Sequence, residues 1–207
     1  MRDIHVFREP RMGGSLFMGY LVSALNVPDS DINNHEHDLT GIQRLSTETN
    51  PFVIRCDRKN LTEHFLSKLG CDTVKWKFTN IFYSNPTNEV FDDLCSRRIT
   101  IDKRRVVSYI KDKIDNEIMY GQAVKKFDNQ TIYYEDMFTP FDIPSLGLYN
   151  IDLSNETRYT MKLPDYKREV FTNYDQVAEW IDEIKDDYIK KHNLTKLLEH
   201  WPGNSGR

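Results

Sequence analysis

Apolar residues fall in short blocks separated by polar, turn-forming stretches. Ile4–Phe7 is a compact apolar run that reads as a strand. A loop carrying Arg8, Pro10, Arg11, Gly13 and Gly14 follows. From Ser15 to Leu25 the chain is apolar nearly all round, which predicts a buried helix ending near Asn26–Pro28. Asp29–Thr49 is polar and weakly periodic, and reads as a loop with room for a short helix. Pro51–Arg55 predicts a second buried strand. Asn60 with Glu63 has capping-box spacing for a helix to about Leu69, ended by Gly70. Asp72–Tyr83 alternates enough for an extended segment, with a helix as the alternative. Asp102 caps a long amphipathic helix through about Phe127. Thr131–Tyr134 reads as a third short strand, and Phe141–Asn155 as turns and extended pieces. A helix starts at Asn173, with Val177, Trp180, Ile181 and Ile184 on one face. Leu194–Trp201 predicts a last short helix before a mobile tail, 202–207.

Strands alternating with helices indicate an α/β fold in three layers around a central, mainly parallel sheet. The chain has 207 residues and no repeat or low-complexity linker, so a single domain over 1–207 is expected. In open parallel sheets, ligands bind outside the carboxyl ends of the strands. The charged segments after Phe7, Arg55 and Tyr134 should therefore meet at one edge.

Composition narrows the function classes. With 29% charged and 39% hydrophobic residues the chain is globular. A net charge of −4 gives no general drive toward nucleic acid, so any anion site must be local. No apolar run approaches the roughly 20 residues that span a bilayer. The start, MRDIHVF, does not read as a secretory signal. Cys56, Cys71 and Cys95 are sparse and irregularly spaced, fitting free thiols in a reducing, cytoplasmic setting.

The strand–glycine turn–helix order of Val6–Tyr20 has the outline of a phosphate site. Free N–H groups of a first helical turn converge on one point, and the helix dipole favours an anion there. Gly13 and Gly14 allow close backbone approach, Arg11 offers charge-assisted bonds, and Ser15 caps the helix or donates its hydroxyl. An ATP- or GTP-hydrolysing P-loop has a Lys before its Ser or Thr. Here that position is Gly14, which disfavours such a site within an otherwise P-loop-like nucleotide-binding architecture.

The PR-x-GGS loop resembles the phosphate loop of sulfotransferases, which use 3′-phosphoadenosine 5′-phosphosulfate. The segment Val53–Leu69, VIRCDRKNLTEHFLSKL, resembles that family's 3′-phosphate element. Thr131–Phe138, TIYYEDMF, resembles the strand that closes its sheet. Tyr166–Trp180 resembles its late basic loop. These likenesses run in the family's order over nearly the whole chain and are nearest to small bacterial-type and phage-type members. Departures are Met12 and Gly14 in the loop, and Leu16 where Thr is frequent.

The resemblance implies a site. Arg11, Met12, Gly13, Gly14, Ser15 and Leu16 would surround the 5′-phosphosulfate. Arg58 with Ser67 would hold the 3′-phosphate, with Arg55 competing for the Arg role. Lys167 and Arg168 would close over the nucleotide, and Tyr134, Glu135 and Asp136 would be structural. The base that takes the acceptor's proton would be Glu36 by resemblance, with His35 and His37 as chemically sound alternatives. The HEH cluster lacks an evident third ligand, so no metal is expected.

The reading is a sulfotransferase that moves a sulfuryl group to a hydroxyl or amine of a small-molecule or carbohydrate acceptor, leaving adenosine 3′,5′-bisphosphate. The rivals are a nucleotide-dependent kinase of related fold and a non-catalytic protein that keeps the fold.

Overall fold

The computed structural model describes residues 3–9, 14–36, 41, 45, 50–74, 95–154, 167–198 and 201, without the side chains of 36 and 71–74. The chain forms two compact units: Met1–Lys59 with Met119–Thr160, and Asn60–Ile118 with Met161–Arg207. The expected mobile tail, 202–207, lies outside the described residues.

The first unit is built on a four-stranded, all-parallel sheet. Its strands are β1 (Ile4–Arg8), β2 (Ile32–Glu36), β3 (Phe52–Asp57) and β4 (Asp128–Tyr133), in the order β2-β1-β3-β4. Alternation assigns the faces. Ile4, Val6, Phe52, Ile54 and Cys56 join Leu16, Phe17 and Leu21 of helix α1 (Gly14–Leu25) in one buried cluster. Phe7 and Val53 join Tyr120 and Val124, from the end of helix α3 (Lys103–Val124), in another. Both faces of the sheet are thus covered, as an all-parallel sheet requires, and β3 is buried at all six positions. A short antiparallel pair, β5 (Phe141–Ile143) and β6 (Leu148–Ile151), completes this unit. Gly147, with φ of +67°, turns the chain between them.

The second unit holds helix α2 (Leu61–Val74), α3 as far as Ile118, the short α4 (Lys167–Val170) and α5 (Tyr174–Lys191). Its core is formed by Phe65, Leu66, Val106, Ile110, Ile114, Phe171, Val177 and Ile181, with Trp201 closing one side. Among its buried polar residues are His64 and Lys113, each with a partner. His64 Nδ1 lies 2.8 Å from the Tyr109 hydroxyl, and the Lys113 ammonium lies 3.7 Å from Glu117 one turn on.

Several elements differ from the sequence reading. Residues 29–36, expected within a loop, form a 3-10 turn at Asp29–Asp31 and then the edge strand β2. The run INNHE lacks apolar alternation, and pairing with β1 supplies what propensity does not. Helix α2 continues through Gly70 to Val74, and Gly70 is buried within it. The extended reading of 72–83 therefore fails for 72–74, and 75–83 lie outside the described residues. The third strand starts three residues early, at Asp128, while Tyr134–Asp136 forms a 3-10 turn. In the described part of 194–201 the chain makes single turns, such as Leu197 N–H to the Leu194 carbonyl, and no α-helix. Among the described residues, no helix is long and apolar enough to cross a membrane.

The helix starts have distinct chemistry. Asn60 Oδ1 accepts from the Glu63 N–H at 3.0 Å, and Asp102 Oδ1 accepts from the Arg104 N–H at 2.8 Å. Asn173 does not cap α5 with its side chain. Its amide instead accepts from the Ile101 N–H and donates to the Ile101 carbonyl, imitating a strand partner. Replacing Asn60 with Ala removes a side-chain cap and is expected to cost about 1 kcal/mol, with Ser restoring most of it. Urea unfolding of the two variants checks this.

Candidate functional site

Parallel pairing puts the carboxyl ends of β1, β3 and β4 at one edge of the first unit. Arg8 pairs in register with Glu36 and Cys56, and Asp57 pairs with Tyr133. The charged segments beyond Phe7, Arg55 and Tyr134 therefore leave the sheet side by side.

At the end of β1, Arg8 turns back over the start of α1. Its Nε donates to Asn34 Oδ1 at 3.0 Å, and Nη1 donates to Ser15 Oγ at 2.7 Å. The Arg8 stem lies against Gly14. A Cβ at position 14 would stand 2.7 Å from Arg8 Cβ and closer still to its Cδ, so only glycine fits beside this arginine. Leu16 points into the core and is fully buried, so its contribution at the loop is limited to its backbone. Arg11, Met12 and Gly13 lie outside the described residues.

At the end of β3 the two candidate arginines part ways. Arg55 is buried on the sheet, paired with Asp57 at 3.0 Å and packed 4.6 Å over the Tyr120 ring. Arg58 lies beyond the strand. Its guanidinium sits 4.4 Å above the Tyr134 ring, and its Nε lies 3.6 Å from Glu135 Oε1. The side chain is 12% exposed, and Nε makes no hydrogen bond among the described residues. Asp57 accepts from the Arg58 N–H at 2.7 Å, which ties the backbone of the turn to the strand end. The Lys59 N–H donates to Glu135 at 3.0 Å, and the Lys59 ammonium pairs with Asp136. Glu135 and Asp136 thus gather the cations that follow β3.

Next to β1, His5 and His35 form a polar pair on the face opposite α1. His5 Nδ1 lies 3.0 Å from His35 Nε2, and the Asn33 amide lies 3.4 Å from His5 Nε2. His35 stacks on Phe7 at 4.2 Å. Glu36 ends β2, its side chain outside the described set, and His37 lies outside the described residues altogether.

The remaining candidates belong to the second unit. Ser67 is buried on α2. The Lys167 ammonium pairs with Glu63, which also accepts from the Tyr174 hydroxyl at 2.6 Å. Arg168 pairs with Asp175 at 2.7 Å and stacks 4.1 Å over Tyr174. Both late-loop cations therefore have partners within their own unit.

Three contributors escaped the sequence reading: Arg8 as the residue that reaches Ser15, Asp57 as the partner of Arg55, and His5 beside His35. The second carries a usable signal, since positions 55 and 57 of a strand share a face. The other two depend on neighbours far apart in sequence.

Comparison of the chain with protein-family models, curated proteins and solved structures finds no match.

Cys56 is sealed beneath this edge. Burial pushes its thiol up to about 12; neighbouring Asp57 adds to the rise, and Arg8 and Arg55 oppose it. In the unfolded chain the thiol ionises near 8.5–9, so the folded state binds the extra proton above that pH. The contribution is fully present below pH 9 and is lost progressively as pH rises toward 12. A Cys56→Ala variant is expected to lose this alkaline slope. Site-resolved mass spectrometry is expected to show Cys56 resisting iodoacetamide until urea unfolds the chain.

Proposed function

We propose that this protein is a sulfotransferase using 3′-phosphoadenosine 5′-phosphosulfate. The carrying observation is Arg58: a nearly buried guanidinium whose Nε lacks a hydrogen-bond partner among the described residues, held over Tyr134 at the carboxyl edge of a parallel sheet. A buried donor without an acceptor costs stability, and an anion at that edge would relieve it. Gly14, which excludes any side chain at the start of α1, supports the same reading for the loop after β1.

In this reading the loop 11–16 surrounds the 5′-phosphosulfate. The first-turn N–H groups of α1 and the Arg11 guanidinium meet its oxygens. Arg58 takes the 3′-phosphate; Tyr134 and Glu135 hold Arg58 in place for it. Arg55 is committed to Asp57 and serves the fold. Lys167 and Arg168 are engaged by Glu63 and Asp175 within the second unit.

The donor supplies an activated sulfuryl group with a good leaving phosphate. The acceptor oxygen or nitrogen forms a bond to sulfur while the S–O bond to the phosphate breaks. The leaving phosphate keeps that electron pair, and the acceptor's proton passes to Glu36, with His35 and His37 as the alternative bases. Positioning and charge neutralisation dominate such a transfer. The acceptor is a small molecule or carbohydrate bearing a hydroxyl or amine.

Adenosine 3′,5′-bisphosphate at 100 times its Kd is expected to stabilise the chain by about 2.7 kcal/mol, a shift of several degrees in thermal unfolding. Arg58→Ala is expected to fold normally and bind roughly tenfold or more weakly, as for loss of a charge-assisted bond of about 1.5–3 kcal/mol. A response to ATP–magnesium alone would instead favour a kinase, and no response to either would favour a fold without the cofactor. Glu36→Gln is expected to bind the bisphosphate normally and to lose turnover. Full activity in that variant would move the base to one of the flanking histidines.

A further inference from the structure

Arg8 has no part in the mechanism above, yet it is the one described cation that donates to a residue of the phosphate loop. Its geometry constrains what Ser15 can do. An arginine carries donors and no acceptor, so the 2.7 Å contact from Nη1 occupies a lone pair of Ser15 Oγ. That is the one hydrogen bond Ser15 Oγ makes among the described residues, and it leaves the hydroxyl proton to be given away. Asn34 fixes the other branch of the fork at 3.0 Å, so the guanidinium cannot swing freely. Gly14 lets the stem pass, since any Cβ there would collide with it.

We propose that Arg8 is a positioning residue that commits the Ser15 hydroxyl to donating, toward acceptor-only oxygens of the bound phosphosulfate. This rests on the sulfuryl-transfer reading and deepens it. The same contact works against a divalent cation at Ser15. A metal ion on the remaining lone pair of Ser15 Oγ would stand beside a guanidinium of like charge. Arg8 therefore acts through Ser15, and Gly14 acts through Arg8.

The test is a double-mutant cycle on the full chain, read as affinity for adenosine 3′,5′-bisphosphate by calorimetry. Arg8→Met and Ser15→Ala are each expected to weaken binding about tenfold. The double variant is expected to bind no more weakly than the poorer single. Gly14→Ala is expected to reproduce the Arg8→Met loss, and magnesium to leave wild-type affinity unchanged. Independent, multiplying losses overturn the proposal, as does an Arg8→Met variant that binds normally or a wild-type requirement for magnesium. Circular dichroism checks each fold. Should Arg8→Met fail to fold, the cycle is run with Arg8→Lys, where coupling to Ser15 is again expected and additivity again overturns the proposal. A wild-type chain that ignores the bisphosphate removes the sulfotransferase reading and this proposal together. A wild-type response without coupling removes the role of Arg8 alone.

Discussion

An all-parallel sheet has to bury both of its faces, and the first unit is organised around that constraint. Central strands β1 and β3 spend their length on apolar contacts with α1 on one side and the end of α3 on the other. Charge then gathers mainly where the strands stop. Arg8, Arg58, Lys59, Glu135 and Asp136 all stand at or just beyond a carboxyl end. The exception proves informative. Arg55 enters the buried part of β3 only with Asp57 on the same face and an aromatic ring against its guanidinium. An unpaired charge there would be far more costly than any surface ion pair is beneficial.

The same edge is already balanced in charge. Glu135 faces Arg58, and Asp136 faces Lys59. An anionic ligand would have to compete with these carboxylates. Arg58 is the best placed to accept one, because its contact with Glu135 is long and its Nε is not hydrogen-bonded. Such preset pairs hold long side chains in extended positions, which reduces the entropy lost when a ligand binds.

How much of this was legible in the sequence follows from where the information lies. Ile4–Phe7, Ser15–Leu25, Pro51–Arg55 and the helix after Asp102 announce themselves by local apolar pattern, and each exists within a few residues of its expected bounds. β2 does not, because Asn33, Asn34 and His35 carry no strand signal and the pairing with β1 alone makes them one. Gly70 reads as a stop and is instead helical, its tertiary surroundings outweighing propensity. The division into two units leaves no compositional trace, since one crossing falls at a strand–helix junction and another inside α3. Side-chain destinations were the least legible. That Glu63 holds Lys167, or that Arg8 reaches Ser15, depends on distances set only after folding.

The order of residues along the chain also bears on how the protein is made. β4 pairs with β3 across a separation of 76 residues, Cys56 opposite Ile132. During synthesis the first three strands emerge long before their fourth. Through that interval β3, which is buried at all six positions in the folded chain, presents an unpaired edge, the kind of surface that invites pairing with another nascent chain. The ribosome meanwhile delivers α2 and most of α3, elements of the other unit. Neither unit is contiguous, so neither is complete when its first segment has emerged. Closure of either unit waits for its second segment, and a message truncated near residue 118 would yield an open sheet and an unclosed helical core at once.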